Sequence, residues 1–475
     1  MSLGSTDAYK LTMAEAGYPL REECFTYTHR RGGVALLPID VHAEVQRLLP
    51  AVDIAACDEL ERVGIRLSAG TRAALALPDR VRVQSLPKGA WFAPGEPVFS
   101  VIGPSALVSF LEPQLLMLAY RIQLATLAVV EPARLAAEVG VVSCAQQREI
   151  VLSCLDGVRV AAPEVCVDAE GYRERVFERA SALVRCVEDP ARLFEIGLRA
   201  ATCLEQHLLA LDACKCAGIT RTSHVGGART LGLGAVGTMG HEHVQRFFSD
   251  PVAFAAMRDR VPGPVSYLLD TFDTLRSGVP AAYALMQARG TSDSVRFDSG
   301  DKAAQLRAAV ALARAQDLKP TLILEDGFDL EQTAQFEGLR RELGWAAAQQ
   351  LYGYGGYLVS GPAAGTLKRD RVAAVFKLTE TDGRASMKFA DAPGGQKQSV
   401  PGRPVLFRRV AGEGSTGMIG QSGELPPPGM RQLTDAESPF GGRPGGARPE
   451  LSPATQALVR ALTVARDRRL AEVQA

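Results

Sequence analysis

From about residue 190 onward, short apolar runs of strand type alternate with longer stretches of helical period. Val295-Arg296-Phe297 is followed by a helical pattern from Asp301 to Ala315. Thr321-Leu322-Ile323-Leu324 is followed by another from Asp329 to Glu342, and then Leu351-Tyr352 begins the next run. Strand starts therefore recur about every 26–30 residues with a helix between them, which predicts βα units around a parallel sheet. Upstream, Phe194–Ile196, Ile219–Thr220, Ala235–Val236 and Ser266–Leu269 read as further strands. Seven or eight such strands fit an α/β barrel or a doubly wound sheet, and periodicity alone leaves both open.

The flanks read differently. A helical pattern surrounds Tyr9–Ala16. Between Val81 and Ile102, short β-like runs are broken by Pro87-Lys88-Gly89 and Pro94-Gly95-Glu96-Pro97, and a long Ala/Leu-rich helical pattern begins near Leu107. The expected organisation is an N-terminal α/β domain over 1–118, completed by about 385–475, and an α/β barrel over 119–384. A Gly/Pro-rich loop segment is expected over 415–450. A last helix is expected from Ser452, as N-cap before Pro453, to about Val473.

Composition narrows the function classes. Lys+Arg and Asp+Glu both number 53, so the chain lacks the basic excess that a nucleic-acid backbone demands. Charges or prolines interrupt every apolar stretch before the roughly 18 residues of a membrane span, so none is expected. The segment Met1–Asp7 has no basic and apolar secretory pattern. Nine cysteines include no Cys-x-x-Cys pair, which argues for reduced thiols over a zinc site and for a cytoplasmic location.

Polar clusters follow the predicted strands directly: Arg221-Thr222-Ser223-His224, Gly237-Thr238-Met239-Gly240-His241, Asp270-Thr271, Asp298-Ser299-Gly300-Asp301, Glu325-Asp326-Gly327 and Gly353-Tyr354-Gly355-Gly356. Strand carboxyl ends of parallel α/β folds face one crevice, where ligands bind. Any one cluster can be a turn, and Asp301 serves equally well as a helix N-cap. Gly355 and Gly356 lie in a turn able to wrap a phosphate with backbone N–H groups.

These clusters resemble the nicotinate phosphoribosyltransferase family over nearly the full chain. Thr6-Asp7-Ala8-Tyr9-Lys10 is close to the family's opening motif, and Pro94-Gly95-Glu96-Pro97-Val98 is similar to its β-rich N-terminal domain. Glu195-Ile196-Gly197-Leu198-Arg199 resembles E-F-G-x-R, Arg221-Thr222-Ser223-His224 resembles G-T-S-N, and Gly237-Thr238-Met239-Gly240-His241-Glu242 resembles G-T-x-A-H-E. Leu269-Asp270-Thr271-Phe272-Asp273-Thr274 and Arg296-Phe297-Asp298-Ser299-Gly300-Asp301 complete the set.

The resemblance implies an incomplete TIM-like α/β barrel beside a second α/β domain built from both chain ends. It implies transfer of phosphoribosyl from phosphoribosyl pyrophosphate to nicotinate, giving nicotinate mononucleotide and pyrophosphate for NAD biosynthesis. ATP hydrolysis is expected to couple through a phosphorylated His241, and Mg2+ to accompany the pyrophosphate. The implied catalytic residues are His241, Arg296 and Asp298. Substrate contacts are implied for Tyr9, Arg199, Thr222, Ser223, Thr238, Ser299, Gly300, Asp301, Asp326, Gly327, Gly355 and Gly356. A homodimer is implied, with Tyr9 reaching over the partner's site to stack on the pyridine.

The residue types suit this chemistry. Asp298 can stabilise an oxocarbenium-like centre or organise hydroxyls and magnesium, and Arg296 can hold a carboxylate or phosphate with a planar fork. An imidazole can attack phosphorus near neutral pH. Related nicotinamide enzymes carry Asp where this chain has Ser223, so a donating Ser hydroxyl there favours an acidic ring. Several positions depart from the family. Ile196 replaces a usual Phe, Ala200 a frequent Arg, and Arg221 and His224 a Gly and an Asn. Gly356 stands at a position that is often Thr, and Glu325 replaces a common Ser. These departures keep two alternatives in view: transfer to another pyridine or azole acid, and a non-catalytic nucleotide-binding homologue.

Overall fold

The structure is a computed structural model, and it describes residues 1–237, 239–361, 367–389, 398–409, 416–433 and 443–474. Seven parallel strands form one sheet in the order Gly234–Ala235, Arg221–Thr222, Leu193–Glu195, Gln350–Tyr354, Thr321–Leu324, Ser294–Phe297 and Ser266–Leu268. The strands that come third and fourth in the chain stand at opposite edges, so the sheet curls into an incomplete TIM-like barrel with a seam between Ala235 and Ser266. That choice between barrel and open sheet was beyond the periodicity.

Alternation positions the site. Val295 and Phe297 point outward into the helix-covered core with Leu322, Leu324 and Tyr352, all fully buried. Period two then turns Ser294, Arg296 and Asp298 to the interior cavity. The following helices start where their caps dictate. Asp301 accepts from Ala304 N (3.0 Å) before Lys302–Ala315, and Asp329 accepts from Gln332 N (2.9 Å) before Leu330–Glu342.

One expected strand is shifted. The helix Leu204–Cys216 closes with Gly218 at φ +98° and Ile219 N bonded to Cys214 O, so Ile219 still belongs to the helix cap. Pairing therefore begins only at Arg221, two residues later than the apolar pattern indicates.

The second sheet is antiparallel and gathers distant segments, in the order Arg384–Ala385, Ala374–Thr381, Glu22–His29, Phe99–Pro104 and Arg82–Ser85. The strand Ala374–Thr381 pairs along the length of Glu22–His29. A smaller sheet of Met430–Gln432, Pro404–Arg409, Met418–Gln421 and Glu450–Leu451 carries the late chain. Ser452 caps the final helix Pro453–Gln474 by accepting from Thr455 N (3.2 Å).

The helix Glu112–Val130 corrects the reading of apolar stretches: its 19 residues are long and apolar enough to cross a membrane, although most of them are buried inside the protein. Its residues pack in the core of the N-terminal sheet, and Glu112 and Leu116 line the barrel's cavity. The N-terminal helix Ala8–Ala16 lies against the chain just beyond the edge strand Gly234–Ala235. A Cβ at Gly237 would stand 2.6 Å from Tyr9 N, so only glycine permits that approach.

Candidate active site

A cavity of about 920 Å³ occupies the barrel interior and opens at the carboxyl ends of its strands. Arg296, Ile323 and Leu351 pair in one register level and line it, with Ser294 deeper along the strand of Arg296 and Ser266 paired beside it on the edge strand Ser266–Leu268. Ten cationic side chains line the cavity, among them Arg30, Arg31, Arg199, Arg296, Lys377 and Lys388, against seven carboxylates. Such a concentration of positive charge in a neutral chain suits an anionic ligand.

His241, first residue of the helix His241–Phe247, faces two carboxylates across the mouth. Its Nε2 lies 2.9 Å from Asp270 Oδ1 and 3.8 Å from Asp298 Oδ2. Asp270 is fully buried, accepts a hydrogen bond from the Ser299 hydroxyl, and has Lys388 Nζ at 3.4 Å; Lys388 also stands 3.6 Å from Asp298. Burial works against both carboxylates, but Lys388 and His241 outweigh it and hold each well below the usual range, with Arg296 adding to the effect at Asp298. Burial, reinforced by Lys388, pushes His241 downward against the pull of Asp270. The imidazole is therefore neutral at physiological pH. A proton on Nε2 donated to Asp270 leaves the lone pair on Nδ1.

These three groups also make a cation-binding constellation, with ligand atoms within 4.8 Å of one another. Asp270's oxygens are already engaged by His241, Ser299 and Lys388, whereas Asp298 keeps an accessible carboxylate. Asp298 thus fits the usual role of a single protein carboxylate on a magnesium ion otherwise held by phosphates.

Arg296 lies in the interior with Glu325 Oε2 3.5 Å from its Nε, and neighbouring anions keep it charged against the cost of burial. Arg199 also lines the cavity, 3.9 Å from both Asp7 and Glu112 and 5.9 Å from the Tyr9 ring centroid. Asp326, Gly327, Gly355 and Gly356 line the rim. Asp326 and Gly327 both have positive φ (+62° and +83°), so the backbone turns sharply after the strand Thr321–Leu324.

Other expected contacts are placed elsewhere. Thr222 is fully buried and donates to Glu195 Oε2 (2.8 Å), on the side of the strand away from the cavity. Asp301 caps its helix, Ser299 supports Asp270, and Gly300 forms the turn at φ +87°; none of the three lines the cavity. Thr238 lies outside the described residues. Ser223 does line the cavity, but its hydroxyl donates to Asp7 Oδ1 (2.6 Å). Its single proton is thus committed, and the oxygen it turns outward is an acceptor, the reverse of the expected donor.

Tyr9 lines the cavity of its own chain and packs beside Gly240 of the same barrel. Glu242 does not orient an imidazole. It pairs with Lys10 Nζ (2.6 Å) and accepts from Ser109 Oγ (2.6 Å), while Lys10, with no exposed side-chain surface, is bridged also to Glu112. That buried triad fastens the N-terminal segment to the helix carrying His241. Where Ile196 lacks an aromatic ring, Phe194, two residues earlier on the same strand face, presents one to the cavity.

Lys388 and Asp7 were missed by sequence reasoning, and Asp270 was noticed only as one of several strand-end polar groups. Asp270 had the strand-end signal that Asp298 had; Lys388 follows a strand of the other sheet and carried no local signal.

No family model matches the chain. Curated relatives do. It is 25% identical to the nicotinate phosphoribosyltransferase of Bos taurus over 407 residues, covering 73% of this chain and 64% of that protein. It is 25% identical to the Homo sapiens protein of the same name over 428 residues, covering 78% and 68%. Among solved structures, the nicotinate phosphoribosyltransferase of Porphyromonas gingivalis superposes with a TM-score of 0.61 at 19% identity, covering 84% of this chain and 95% of that one. Over most of its length the chain is thus similar in sequence to nicotinate phosphoribosyltransferases, and it shares their fold.

Proposed function

We propose that the protein transfers phosphoribosyl from phosphoribosyl pyrophosphate to nicotinate, forming nicotinate mononucleotide and pyrophosphate, with ATP hydrolysis coupled through His241. The observation that carries this reading is the convergence of a neutral imidazole, two ionised carboxylates and a buried guanidinium on one interior cavity. The activity named for the curated relatives agrees with it.

In the transfer, the pyridine nitrogen's lone pair forms a bond to the anomeric carbon while the carbon–oxygen bond breaks and pyrophosphate leaves with its electron pair. Asp298 is the carboxylate with access to that centre, and its negative charge opposes the positive charge developing on the sugar. Arg296 and Arg199 bind anionic groups of the substrates, and Tyr9 and Phe194 supply ring surfaces for the pyridine. Magnesium would neutralise pyrophosphate oxygens, with Asp298 as its protein ligand. For coupling, Nδ1 of His241 accepts the terminal phosphoryl group of ATP and ADP departs, while Asp270 compensates the charge on the ring.

The test is turnover by purified protein with phosphoribosyl pyrophosphate, magnesium and nicotinate, with and without ATP. Mononucleotide formation stimulated by ATP is expected, with the stimulation lost in His241→Ala while a slow transfer persists. Ligand-induced thermal stabilisation without any product would instead identify a binding protein.

A further inference from the structure

The barrel interior holds a charged residue that the proposed chemistry does not use. Glu325 follows the strand Thr321–Leu324, is 5% exposed, and directs its carboxylate at Arg296, 3.5 Å from Nε to Oε2. The surrounding wall is shaped for this side chain. On the adjacent strand Gln350–Tyr354, a Cβ at Gly353 would stand 2.8 Å from both Glu325 Cγ and the Phe194 ring, so the absence of a side chain there admits the pair. Phe194, Ile323 and Leu351 give the same region an apolar lining. The place is thus an apolar slot of the kind a flat ring enters, with a guanidinium and a carboxylate sharing its polar wall.

A nicotinate carboxylate entering this slot meets a guanidinium already facing an anion. It must share Arg296 with Glu325 at close range, where like charges in a water-poor cavity repel. A ring bearing a carboxamide meets no such conflict, because its carbonyl can accept from Arg296 while its NH2 donates to Glu325. We propose that Glu325 sets the ring selectivity of the cavity by competing with an anionic ring substituent for Arg296 and accepting a hydrogen bond from a donating one. Burial, only partly offset by Arg296, raises the Glu325 carboxyl above its ordinary value.

The inference rests on the proposed ring transfer, and its test reads equilibrium binding so that the two can fail separately. Nicotinate and nicotinamide are titrated into wild type, Glu325→Gln and Glu325→Ser, the serine variant covering the case in which the buried amide impairs folding. Mononucleotide formation is followed in parallel. In the variants, nicotinate affinity is expected to rise about tenfold while nicotinamide affinity is unchanged or falls, since removing a full charge near a charged ligand discriminates strongly and near a neutral one weakly. An unchanged ratio of the two dissociation constants, or an equal change in both, overturns the proposal. Failure of product formation with both rings overturns the transfer reading instead, and the binding ratio still decides the role of Glu325.

Discussion

Replacing Asp270 by Asn is the perturbation that separates the proposed phosphohistidine from an ordinary structural imidazole. In the native site the Asp270 carboxylate takes Nε2 of His241 at 2.9 Å, the Ser299 hydroxyl and the nearby Lys388 ammonium, and all three present protons to it. An Asn has one accepting atom and one donating group. If its oxygen stays toward Nε2, its NH2 confronts Ser299 and Lys388. If it turns over, its NH2 faces Nε2 and the imidazole must carry its proton on Nδ1, the atom that attacks phosphorus. Either way a charge-assisted hydrogen bond worth about 1.5–3 kcal/mol becomes a neutral or repulsive contact. At about 1.4 kcal/mol per decade, phosphorylation should slow roughly ten- to hundredfold.

Protonation does not account for that loss. Asp270 pulls the His241 pKa upward, so removing it makes the ring still more firmly neutral. The assay is incorporation of acid-labile label from radioactive ATP, run beside ATP-independent transfer to nicotinate, which should fall less. Labelling of Asp270→Asn at the wild-type rate would refute the reasoning.

Two further outcomes follow from buried charge. Lys10→Met leaves Glu242 buried without its cation, while Glu112 keeps Lys377 at 3.6 Å and Arg199 at 3.9 Å, so a loss of about 3–5 kcal/mol in chemical denaturation is expected; replacing Glu242 together with Lys10 by apolar residues should recover much of it. Burial pushes His29 and His243 down to about 3. Because each is depressed in the folded state, it favours the fold above the unfolded value near 6.5 and withdraws that support as pH falls toward 3. Stability should then drop by up to about 1.4 kcal/mol per pH unit for each histidine below 6.5, and single Gln substitutions should flatten the slope measured by urea titration.

The barrel was legible because its strands obey a local rule. Val295 and Phe297 are apolar because they face helices, and Arg296 and Asp298 stand out because the same alternation turns them inward. Arg296 and Asp298 were readable for that reason, whereas His241, which opens a helix, was picked out by the resemblance of Gly237-Thr238-Met239-Gly240-His241-Glu242 to the family motif. Thr222 was misjudged by the same rule, since its side chain turns toward Glu195 instead of the cavity. What the sequence withheld is pairing between distant segments. Lys10 and Glu242 are 232 positions apart, Asp7 and Ser223 are 216 apart, and Lys388 and Asp270 are 118 apart. No periodicity spans such gaps. The donor role expected of Ser223 failed on one of them, because Asp7 claims its proton. The place of Tyr9 at the cavity depends on another, because the Lys10 triad holds its segment against the barrel of its own chain.

A structure of the protein with nicotinate mononucleotide bound tests the account most directly. The pyridine carboxylate should lie about 3 Å from the Arg296 guanidinium, the ring beside Tyr9 and Phe194, and the ribose at Asp298 with His241 facing the phosphate side. A nucleotide seated outside the barrel interior, or one whose ribose lies away from Asp298 and His241, would contradict it.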